Sequence, residues 1–517
     1  MDLIRLFDHG AAIDPERACF VEGERRTSYR DVKALTERVA RKLQGLGIAR
    51  DRKVGVLSIN SSDAFSCVLG ALRAGAVWVP LNPRSAPTEQ AFVLDAFDVE
   101  VLVFHSLFAP VIDALRPKLS RIRAFVCVDR EHGDIPSLPS WLEGVAAGPV
   151  PRDTSPDSLA LIAGTGGTTG VPKGVMLSHR NMLAFSAAFM SLTPADTPPV
   201  HLVIAPMTHA AGALCFPALG RGGTNVIMSK PDPQAILAAM ARHRVTDLFL
   251  PPTLIYALLA QPNVRDFDYS ALRYFVYGAA PMSTTKLREA IEVFGPVMTQ
   301  MFGQTEAPMI ITFMTPREHL GADGKPAGDE RLTSCGRATP FVDVAVMGED
   351  GSLLPDGQAG ELVVRGDLVM GGYYKNEAAT AEASRNGWHR TGDVGLRDAD
   401  GWFHIVDRKK DMIISGGFNI FSAEVEQAML AHPAILDCAA IGVPDDKWGE
   451  AVKAVVQLKP GASTDETALI EHAKALLGSV KAPKTVEIWP DLPRSTVGKV
   501  LKKDIRARYW EGRSRAI

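Results

Sequence analysis

The sequence predicts an α/β protein with a large N-terminal domain of helix-flanked sheets, a small β-rich subdomain, and an α+β C-terminal domain. Its 517 residues are enough for three or four folding units, at roughly 150 residues per domain. Helical and strand-like patterns alternate through the first part of the chain, which favours helices packed on a largely parallel sheet. Short alternating strands joined by Asp-Gly turns then follow, and these are typical of a small antiparallel unit.

The first predicted elements are a helix and two buried strands. Residues 29–47, YRDVKALTERVARKLQGLG, place apolar side chains at helical spacing and end in a glycine that suits a helix C-terminus. Residues 53–60 and 75–82 are short apolar runs on either side of a helical stretch, DAFSCVLGALRAG. An order of strand, helix and strand indicates a parallel unit.

Four further runs have the composition of buried strands, and each ends at or beside a Pro, Gly or polar residue. They are residues 201–207, 224–229, 245–252 and 273–281. Open α/β sheets bind ligands at the carboxyl ends of their strands. We therefore expect a ligand site near the ends of these runs.

The pattern changes near Phe341, where VDVAVMGEDGSLLPDGQAGELVVRGD contains short strands and Asp-Gly turns. The charged string at residues 407–411 predicts a linker, which divides the chain into an N-terminal domain (1–408) and a C-terminal domain (409–517). Beyond it, SAEVEQAMLAHPAI begins with a serine that suits a helix cap, and DETALIEHAKALLG predicts a second amphipathic helix.

The composition is ordinary for a globular protein, with 46% hydrophobic residues, 22% charged residues and a formal net charge of -3. This charge gives no reason to expect a nucleic-acid partner. Six cysteines without a C-x-x-C pair are typical of reduced thiols in a cytosolic protein. The first residues, MDLIRLFDHGAAIDPERACF, carry acidic side chains and lack the uninterrupted apolar run typical of a signal peptide, and no segment approaches 18 consecutive apolar residues. We expect a cytoplasmic protein without a membrane span, and a looser contact with a membrane surface is left open.

The stretch GTGGTTGVPKG, residues 164–174, has the chemistry of a phosphate-binding loop without the standard patterns. Lys173 does not stand in a Gly-Lys-Ser/Thr motif, and Thr169 replaces the third glycine of G-x-G-x-x-G. Glycine N–H groups, threonine hydroxyls and a lysine can nevertheless hold phosphate oxygens. The loop follows the strand-like run LALIAG and precedes a predicted helix, VMLSHRNMLAFSAAFM. A plain surface loop is the alternative, and the hydroxyls and the lysine favour phosphate binding.

Three shorter motifs are ambiguous when taken singly. Glu306 in QMFGQTEAP is either a magnesium ligand or a carboxylate at a helix start. Asp393 in RTGDVG lies in a predicted tight turn, where it either accepts both ribose hydroxyls or is an ordinary turn residue. Lys499 in LPRSTVGKVLKKDIR, read alone, is one of several solvated basic residues.

The order of these motifs is more informative than any one of them. GTTGVPKGV, FGQTE, WHRTGDVG, DRKKDMIISGGFNI and PRSTVGK follow one another along the chain. In this order they resemble the acyl-adenylate-forming superfamily, which covers acyl-CoA synthetases, luciferases and the adenylation domains of peptide synthetases. The stretch AIGVPDDKWGE resembles the acyl-CoA synthetase branch, which contains the fatty-acid and aryl-acid CoA ligases. The resemblance extends over nearly the whole chain.

The resemblance implies a two-step reaction that uses ATP, Mg²⁺ and coenzyme A. A carboxylate attacks the α-phosphate of ATP to give an acyl-adenylate and pyrophosphate, and the CoA thiol then displaces AMP. This agrees with elementary chemistry, because a carboxylate acylates poorly until its oxygen is part of a phosphate leaving group. The charge that develops at the phosphates needs positioned cations.

Several site residues for the first step are implied by the resemblance. Those expected at the β- and γ-phosphates are Thr165, Gly166, Thr168, Thr169, Gly170 and Lys173. Those expected along the adenine are Gly278, Ala279, Ala280, Gln300, Phe302 and Gly303. The others are Thr305 and Glu306 at the α-phosphate and the magnesium ion, Asp393 and Arg408 at the ribose, and Lys499 between the substrate carboxylate and the α-phosphate. This sequence departs from the family at Gly166, where Ser or Thr is usual.

The resemblance also implies residues for the acyl pocket and the second step. His209 matches a histidine at the mouth of the acyl pocket, although Thr208 replaces the aromatic residue that usually precedes it. Lys410 matches the hinge of a mobile C-terminal domain. Gly416 and Gly417 match a glycine pair beside which pantetheine threads, and Trp448 matches an aromatic residue at the CoA-binding surface.

The expected substrate is a hydrophobic carboxylic acid, either a medium- or long-chain fatty acid or an aryl acid. Small or apolar residues dominate the pocket candidates, namely Ala210, Ala213, Gly278, Ala279, Met301, Gly303 and Met309. Three alternatives are left open: transfer to a carrier-protein thiol, a binding protein without activity, and luciferase-like oxygenation. The partners expected are the acid, ATP and CoA, and the chain is expected to be a monomer or a homodimer.

Overall fold

The computed structural model describes residues 2–165, 172–208, 210–408, 411–415, 418–445, 448–494 and 500–511, with the backbone alone at Arg408 and Asn419. The chain divides into two compact units, one of Met1–Val344 with Val364–His389 and one of Ala345–Val363 with Arg390–Ile517. Both units combine helices and strands, which confirms the predicted α/β class with a larger N-terminal and a smaller α+β C-terminal part. The boundary after residue 408 and the mobility of the last domain stay predictions.

The helices are mostly short and alternate with strands along the chain. In chain order they are α1 (Ile4–Ile13), α2 (Tyr29–Gly45), α3 (Ser62–Ala74), α4 (Pro87–Ala96), α5 (Ala109–Leu115), α6 (Leu138–Trp141), α7 (His179–Leu192), α8 (Ala210–Gly220), α9 (Pro233–Arg242), α10 (Pro252–Leu259), α11 (Thr284–Phe294), α12 (Asp329–Leu332), α13 (Glu377–Glu382), α14 (Ser422–Leu430), α15 (Glu466–Lys481) and α16 (Lys502–Ala507). Short 3-10 helices lie at Ser106–Phe108, Arg116–Lys118 and Pro316–His319. No helix in the described part of the chain has both the length and the apolar character that a membrane crossing requires.

The strands are likewise short. In chain order they are β1 (Ala18–Glu22), β2 (Arg25–Ser28), β3 (Lys53–Leu57), β4 (Val77–Leu81), β5 (Val99–Phe104), β6 (Ala124–Cys127), β7 (Leu159–Thr165), β8 (Lys173–Ser178), β9 (Val200–Val203), β10 (Thr224–Ile227), β11 (Asp247–Leu250), β12 (Tyr274–Gly278), β13 (Met298–Gln304), β14 (Ala307–Met314), β15 (Arg337–Ala338), β16 (Val342–Met347), β17 (Gly360–Gly366), β18 (Ser384–Arg385), β19 (Trp388–Arg397), β20 (Phe403–Arg408), β21 (Ile413–Ser415), β22 (Phe418–Ile420), β23 (Ile435–Asp445), β24 (Gly449–Leu458) and β25 (Thr485–Ile488).

The larger unit contains two sheets whose central strands are parallel. One has the order β6-β5-β3-β4-β7-β8 and ends in the antiparallel pair β7 and β8. The other has the order β15-β14-β13-β12-β11-β9-β10-β1-β2, in which neighbours from β13 to β1 are parallel. The four runs predicted as buried strands are β9 to β12. They are neighbours in the second sheet, so their carboxyl ends lie along one edge.

Strands β4 and β5, which flank β3 in the first sheet, are buried at every position. All residues of β4 and β5 are inaccessible to solvent, which explains their apolar sequences, VWVPL and VEVLVF. Each fully buried valine or leucine side chain contributes about 1.5–3 kcal/mol. Glu100 on β5 is buried like its neighbours but is charged. Its carboxylate forms ion pairs with Arg52 at 3.3 Å and Arg123 at 3.2 Å. A buried charge is tolerated because such partners replace its water.

The predicted helix after the glycine–threonine loop is wrong at its start. Residues Lys173–Ser178 form β8, and α7 begins at His179. The N–H of Asn181 donates to Ser178 Oγ (3.2 Å), and the N–H of Ser178 donates to Asn181 Oδ1 (2.7 Å). This reciprocal cap starts the helix. The apolar residues before it pair with β7 instead, a non-local contact that the helical pattern did not reveal.

Strands β22-β21-β24-β23 form a sheet in the smaller unit, with β25 beside β24 and with α14 and α15 packed on its apolar residues. A further sheet has the order β16-β17-β19-β18, with β20 beside β19. The pairs that β19 makes with β18 and β20 are antiparallel. This sheet corresponds to the small β-rich subdomain predicted from the Asp-Gly turns.

The predicted serine cap of α14 is also wrong, because Ser422 is the first residue of the helix and not its cap. Its side chain lies in a buried polar network. Ser422 Oγ donates to Asp407 Oδ1 (2.8 Å) and accepts from Lys502 Nζ (2.6 Å). Lys502 Nζ is also 2.7 Å from Glu426 Oε1, which accepts a hydrogen bond from the N–H of Ala440 (2.8 Å). The network joins Asp407, in the predicted linker, to α14 and α16.

Glu426 makes the stability of this network depend on pH. Burial raises the pKa of Glu426 to about 7, although Lys502 lies beside it. The folded-state pKa is above the unfolded value of about 4.3, so the folded state binds the proton more tightly. This contribution to stability is full below the unfolded pKa, and it is lost as the pH rises through the folded pKa. Glu426→Gln removes the titration, so its free energy of unfolding should rise by about 3 kcal/mol relative to that of wild type between pH 4 and pH 8.

Urea unfolding followed by circular dichroism at several pH values measures this difference. The control is Glu471→Gln, because Glu471 is an exposed helical residue whose contact is an ion pair with Lys474 at 2.7 Å. Its stability relative to wild type should change little with pH. If the free energies of unfolding of wild type and Glu426→Gln differed by the same amount at every pH in this range, the prediction would be contradicted.

Candidate active site

The two ends of the glycine–threonine loop are held together by β7 and β8. Thr165 pairs with Lys173 in the antiparallel register, and Gly164 pairs with Gly174. Thr165 Oγ1 donates to the carbonyl oxygen of Lys173 over 3.4 Å. The other predicted phosphate ligands, Gly166, Thr168, Thr169 and Gly170, lie outside the described residues. The structure therefore brings the first and last residues of the predicted loop side by side.

Residues 370–374 run alongside β8 and are hydrogen-bonded to it. The N–H of Met176 donates to the Gly372 carbonyl (3.0 Å), and the N–H of Gly371 donates back to the Met176 carbonyl (3.0 Å). The N–H of Tyr374 donates to the Gly174 carbonyl at 2.7 Å. This segment is thereby fixed against the strand that carries Lys173.

Tyr373, in the same segment, contacts both Lys173 and Glu306. Lys173 Nζ lies 5.1 Å from the centroid of the Tyr373 ring. The Tyr373 hydroxyl donates to Glu306 Oε1 over 2.8 Å. Burial, and then the nearby Glu306 carboxylate, raise the pKa of Tyr373, so the phenol stays protonated and is the donor. The predicted phosphate lysine and the predicted magnesium ligand are therefore joined through a residue that was not predicted.

Thr305 and Glu306 occupy the turn between β13 and β14, and both side chains are half-buried. Glu306 is thus not at a helix start, which removes the alternative interpretation of this carboxylate. Its backbone is fixed by the N–H of Met370, which donates to the Glu306 carbonyl at 2.8 Å. Within the described residues, no group of three or more His, Cys, Asp or Glu side chains could hold a metal ion. A single carboxylate nevertheless fits Mg²⁺ that binds mainly to substrate phosphates.

The predicted adenine-side residues come from two adjacent parallel strands and the segment after one of them. Gly278 ends β12 and pairs with Met301 of β13, and a side chain at Gly278 would meet the Met301 carbonyl oxygen. Ala279 follows with a φ of 68°, a left-handed conformation that is uncommon for a residue other than glycine. Ala280 continues this segment, and Phe302 lies half-buried on β13. Such backbone strain is frequent at functional sites.

Gln300 lies beside Tyr277, a buried residue that the sequence did not single out and that is hydrogen-bonded to a second such residue, His319. The Tyr277 hydroxyl lies 3.3 Å from Gln300 Oε1 and 3.0 Å from His319 Nε2. His319 Nδ1 donates to the Thr315 carbonyl at 2.8 Å, which leaves Nε2 as an acceptor. Burial lowers the pKa of His319 to about 4, so this imidazole is neutral near pH 7. The Tyr277 hydroxyl therefore donates its proton to His319 Nε2, the shorter of its two contacts, and lies beside the Gln300 side chain.

Gly303 is required by close packing against the backbone of β14. A Cβ at this position would lie 2.5 Å from the Met309 carbonyl carbon and 2.6 Å from the Met309 nitrogen and Cα. Met309 itself has a φ of 59°. Gly303→Ala is therefore expected to lower the free energy of unfolding by about 1–3 kcal/mol, measured by urea denaturation. Gly45→Ala is the control, because a Cβ at Gly45 has no neighbour within 4 Å. Equal stability of Gly303→Ala and wild type would contradict this packing argument.

Asp393 and Arg408, the predicted ribose ligands, lie opposite each other on β19 and β20. The prediction that Asp393 lies in a tight turn is wrong, because it is a buried residue of β19. The glycine before it has a φ of 73°, and its N–H donates to Glu361 Oε1 at 3.2 Å. The N–H of Asp393 donates to Thr391 Oγ1 at 3.1 Å. The strand pairing, rather than a turn, fixes the position of this aspartate.

The predicted CoA-side residues lie in the smaller unit. Trp448 is 42% exposed, and its N–H donates to Asp445 Oδ1 at 2.9 Å. Ser415, which precedes the predicted glycine pair, pairs with Gly449, which follows Trp448. The residue before the predicted glycine pair is therefore paired with the residue after Trp448. His209, Lys410, Gly416, Gly417 and Lys499 lie outside the described residues.

Comparison with known proteins matches two parts of the chain to family models. Residues 7–374 match the AMP-binding enzyme family, and residues 424–499 match the AMP-binding enzyme C-terminal domain. The medium/long-chain-fatty-acid–CoA ligase FadD8 of Mycobacterium tuberculosis is 35% identical over 500 residues, which cover 93% of this chain and 86% of the relative. The feruloyl-CoA synthase of an Amycolatopsis species is 35% identical over 502 residues, which cover 96% of this chain and 97% of the relative.

A solved structure agrees with this comparison over the same extent. The amide bond synthetase McbA from Marinactinospora thermotolerans superimposes with a TM-score of 0.89 and is 31% identical, with 98% of this chain and 100% of that chain covered. The likeness therefore extends over both the larger and the smaller part of the sequence.

Proposed function

Because the chain belongs to the AMP-binding enzyme family, we propose that it is an AMP-forming acid–CoA ligase that activates a hydrophobic carboxylic acid. FadD8 is named as a ligase of medium- and long-chain fatty acids, and the Amycolatopsis relative is named as a synthase of feruloyl-CoA. Both relatives join an acid to CoA, and each matches more than nine-tenths of this chain. These likenesses support the same reaction class here.

The proposed reaction has two balanced steps. In the first, a carboxylate oxygen forms a bond to the α-phosphorus of ATP, and the bond from that phosphorus to the β-phosphate oxygen breaks. The products are an acyl-adenylate and pyrophosphate. In the second, the sulfur of CoA forms a bond to the acyl carbon, AMP leaves, and the thiol proton passes to solvent. The first step makes the acyl carbon reactive enough for the second.

The observation that carries this proposal is that Lys173 and Glu306 contact the same side chain, Tyr373. The lysine cation suits phosphate oxygens, and the nearby carboxylate suits a metal ion that is bound to the same phosphates. We assign the β- and γ-phosphates to Lys173 together with Thr165, Gly166, Thr168, Thr169 and Gly170. We assign the α-phosphate to Thr305 and, during adenylation, to Lys499.

Glu306 is the residue that would hold Mg²⁺. The ion, when bound with ATP, supplies positive charge that neutralises the phosphates. The Oε1 atom of Glu306 already accepts from Tyr373, whereas Oε2 has no hydrogen bond within the described residues. One carboxylate oxygen is thus held in place and the other is available.

The remaining assignments follow the family resemblance. We propose that Gly278, Ala279, Ala280, Gln300, Phe302 and Gly303 line the adenine and that Asp393 and Arg408 hold the ribose. We propose that the C-terminal domain, residues 409–517, turns about Lys410 between the two steps. In the second step Gly416 and Gly417 leave room for pantetheine, and Trp448 contacts CoA. His209 borders the acyl pocket.

The acid and the acceptor are tested together by one experiment. The purified full chain is incubated with ATP, Mg²⁺ and a panel of fatty and aryl acids, with CoA, a pantetheinylated carrier protein or a primary amine as acceptor. We expect AMP and acyl-CoA in equal amounts with at least one hydrophobic acid, and little product with the other acceptors. Preferential loading of the carrier protein would support the carrier-ligase alternative. If an acyl amide were the main product, the chain would be an amide bond synthetase and not a CoA ligase.

A further inference from the structure

We propose that Tyr373 is a positioning residue that keeps Lys173 and Glu306 apart and holds each in place for MgATP. The inference rests on the proposed function, because it assigns a role toward the phosphates and the metal ion of that reaction. It adds a residue that no motif of the sequence analysis indicated. Three features of the structure support it.

The first feature is that the phenol lies between two opposite charges. Lys173 Nζ faces the Tyr373 ring at 5.1 Å from its centroid, while the hydroxyl at the far end of the ring donates to Glu306 Oε1 at 2.8 Å. Within the described residues, neither Lys173 nor Glu306 forms an ion pair, and both contact Tyr373 instead. A direct ion pair would neutralise both groups before ATP binds. The ring keeps the charges of both groups available.

The second feature is that the backbone holds the tyrosine rigidly. Val175 of β8 forms a bridge with Tyr373, and the N–H of Tyr373 donates to Thr380 Oγ1 at 2.9 Å. The side chain is only 9% exposed. Strand β8 therefore holds the backbone of Tyr373 at Val175. The same strand carries Lys173, two residues before Val175. A rigid support of this kind is what holds a catalytic side chain in productive geometry.

The third feature is that the neighbouring tyrosine does not share these contacts. The Tyr374 hydroxyl donates to Asp98 Oδ2 at 2.6 Å, and Asp98 also contacts Lys375 Nζ at 2.6 Å. Tyr374 thus makes a phenol–carboxylate hydrogen bond of the same type, with Asp98 in place of Glu306. It provides a matched control on the adjacent residue.

The test measures binding of ATP by calorimetry with and without Mg²⁺, on the full chain and without an acid substrate. Tyr373→Phe keeps the ring and loses the hydroxyl, so Glu306 is no longer held. We expect the Kd of MgATP to rise about five- to tenfold, and the Kd of metal-free ATP to change less than about twofold. In turnover assays the KM for MgATP should rise more than kcat falls. Tyr374→Phe should leave both dissociation constants unchanged.

Tyr373→Leu removes the separating ring as well, so Lys173 and Glu306 can form an ion pair. We expect this variant to weaken binding of metal-free ATP too, by about tenfold. Adding Glu306→Gln to it should restore much of that metal-free binding, because the lysine is then released. This rescue is not expected of a residue that only stabilises the fold.

The outcomes separate the inference from the proposed function. If wild type binds neither ATP nor MgATP, the proposed function fails. If wild type binds MgATP and Tyr373→Phe behaves like Tyr374→Phe, the positioning role is wrong. If Tyr373→Leu and Tyr373→Phe have the same effects, or if Glu306→Gln gives no rescue, the separating role is wrong. The phenylalanine variant keeps the test valid if the leucine variant does not fold.

Discussion

Lys499→Ala is expected to lower the rate of acyl-adenylate formation by about a hundredfold or more. Negative charge builds up on the oxygens around the α-phosphorus while the carboxylate approaches it, and a positioned cation stabilises that charge. The second step needs no such cation, because AMP leaves from an adenylate that is already formed. The variant should therefore convert supplied acyl-adenylate and CoA into acyl-CoA at nearly the wild-type rate.

Pyrophosphate release measures the first step, and acyl-CoA formation from synthetic acyl-adenylate measures the second. Lys503→Ala is the matched control, because Lys503 is an exposed lysine on α16, four residues further along the chain. The rates of Lys503→Ala should remain within about twofold of the wild-type rates in both assays. Equal losses of both steps in Lys499→Ala would contradict the role assigned to Lys499.

Glu306→Gln is expected to lower kcat/KM for MgATP by about a hundredfold. Glutamine has almost the same shape as glutamate, and its amide oxygen can still accept the hydrogen bond that Tyr373 donates at 2.8 Å. The substitution therefore removes charge and little else. An amide oxygen is a weaker magnesium ligand than a carboxylate, so part of the loss should be recovered at high Mg²⁺ concentration.

Initial rates over a range of Mg²⁺ concentrations measure this effect. Glu289→Gln serves as the control, since Glu289 is on α11 in the same unit and pairs with Lys286 at 2.7 Å. Its Mg²⁺ dependence should match that of wild type. If Glu306→Gln had the wild-type dependence on Mg²⁺, Glu306 would not be the magnesium ligand.

The sheet strands could be predicted because local sequence determines them. The predicted run at residues 75–82 contains VWVPL, which is apolar throughout and forms β4, as a buried parallel strand requires. The start of α7 was missed because pairing between β7 and β8 determines it. The role of Ser422 was missed for a similar reason, since its partners Asp407 and Lys502 are 15 and 80 residues away in sequence.

The candidate site was predicted only as far as motifs extend. Glu306 and Lys173 stand in contiguous family-like stretches, and the order of these stretches along the chain singled them out as candidates. Tyr373 was missed because its hydrogen bond to Glu306 spans 67 residues, and the stretch GGYYKN has no distinctive chemistry when read alone. Tyr277 and His319, 42 residues apart, were missed because buried polar pairs have no periodic pattern. Contacts of this kind become visible only when segments that are distant in sequence meet in the fold.

The central claim is that a carboxylate oxygen of the substrate attacks the α-phosphorus of ATP. Isotope transfer tests it most directly. An acid that the enzyme accepts is labelled with ¹⁸O in both carboxylate oxygens and is converted with ATP, Mg²⁺ and CoA. The masses of the products are then measured by mass spectrometry. The account predicts AMP that carries one ¹⁸O atom, unlabelled pyrophosphate, and acyl-CoA that retains the other ¹⁸O atom. Unlabelled AMP, or ADP together with ¹⁸O-labelled inorganic phosphate, would contradict it.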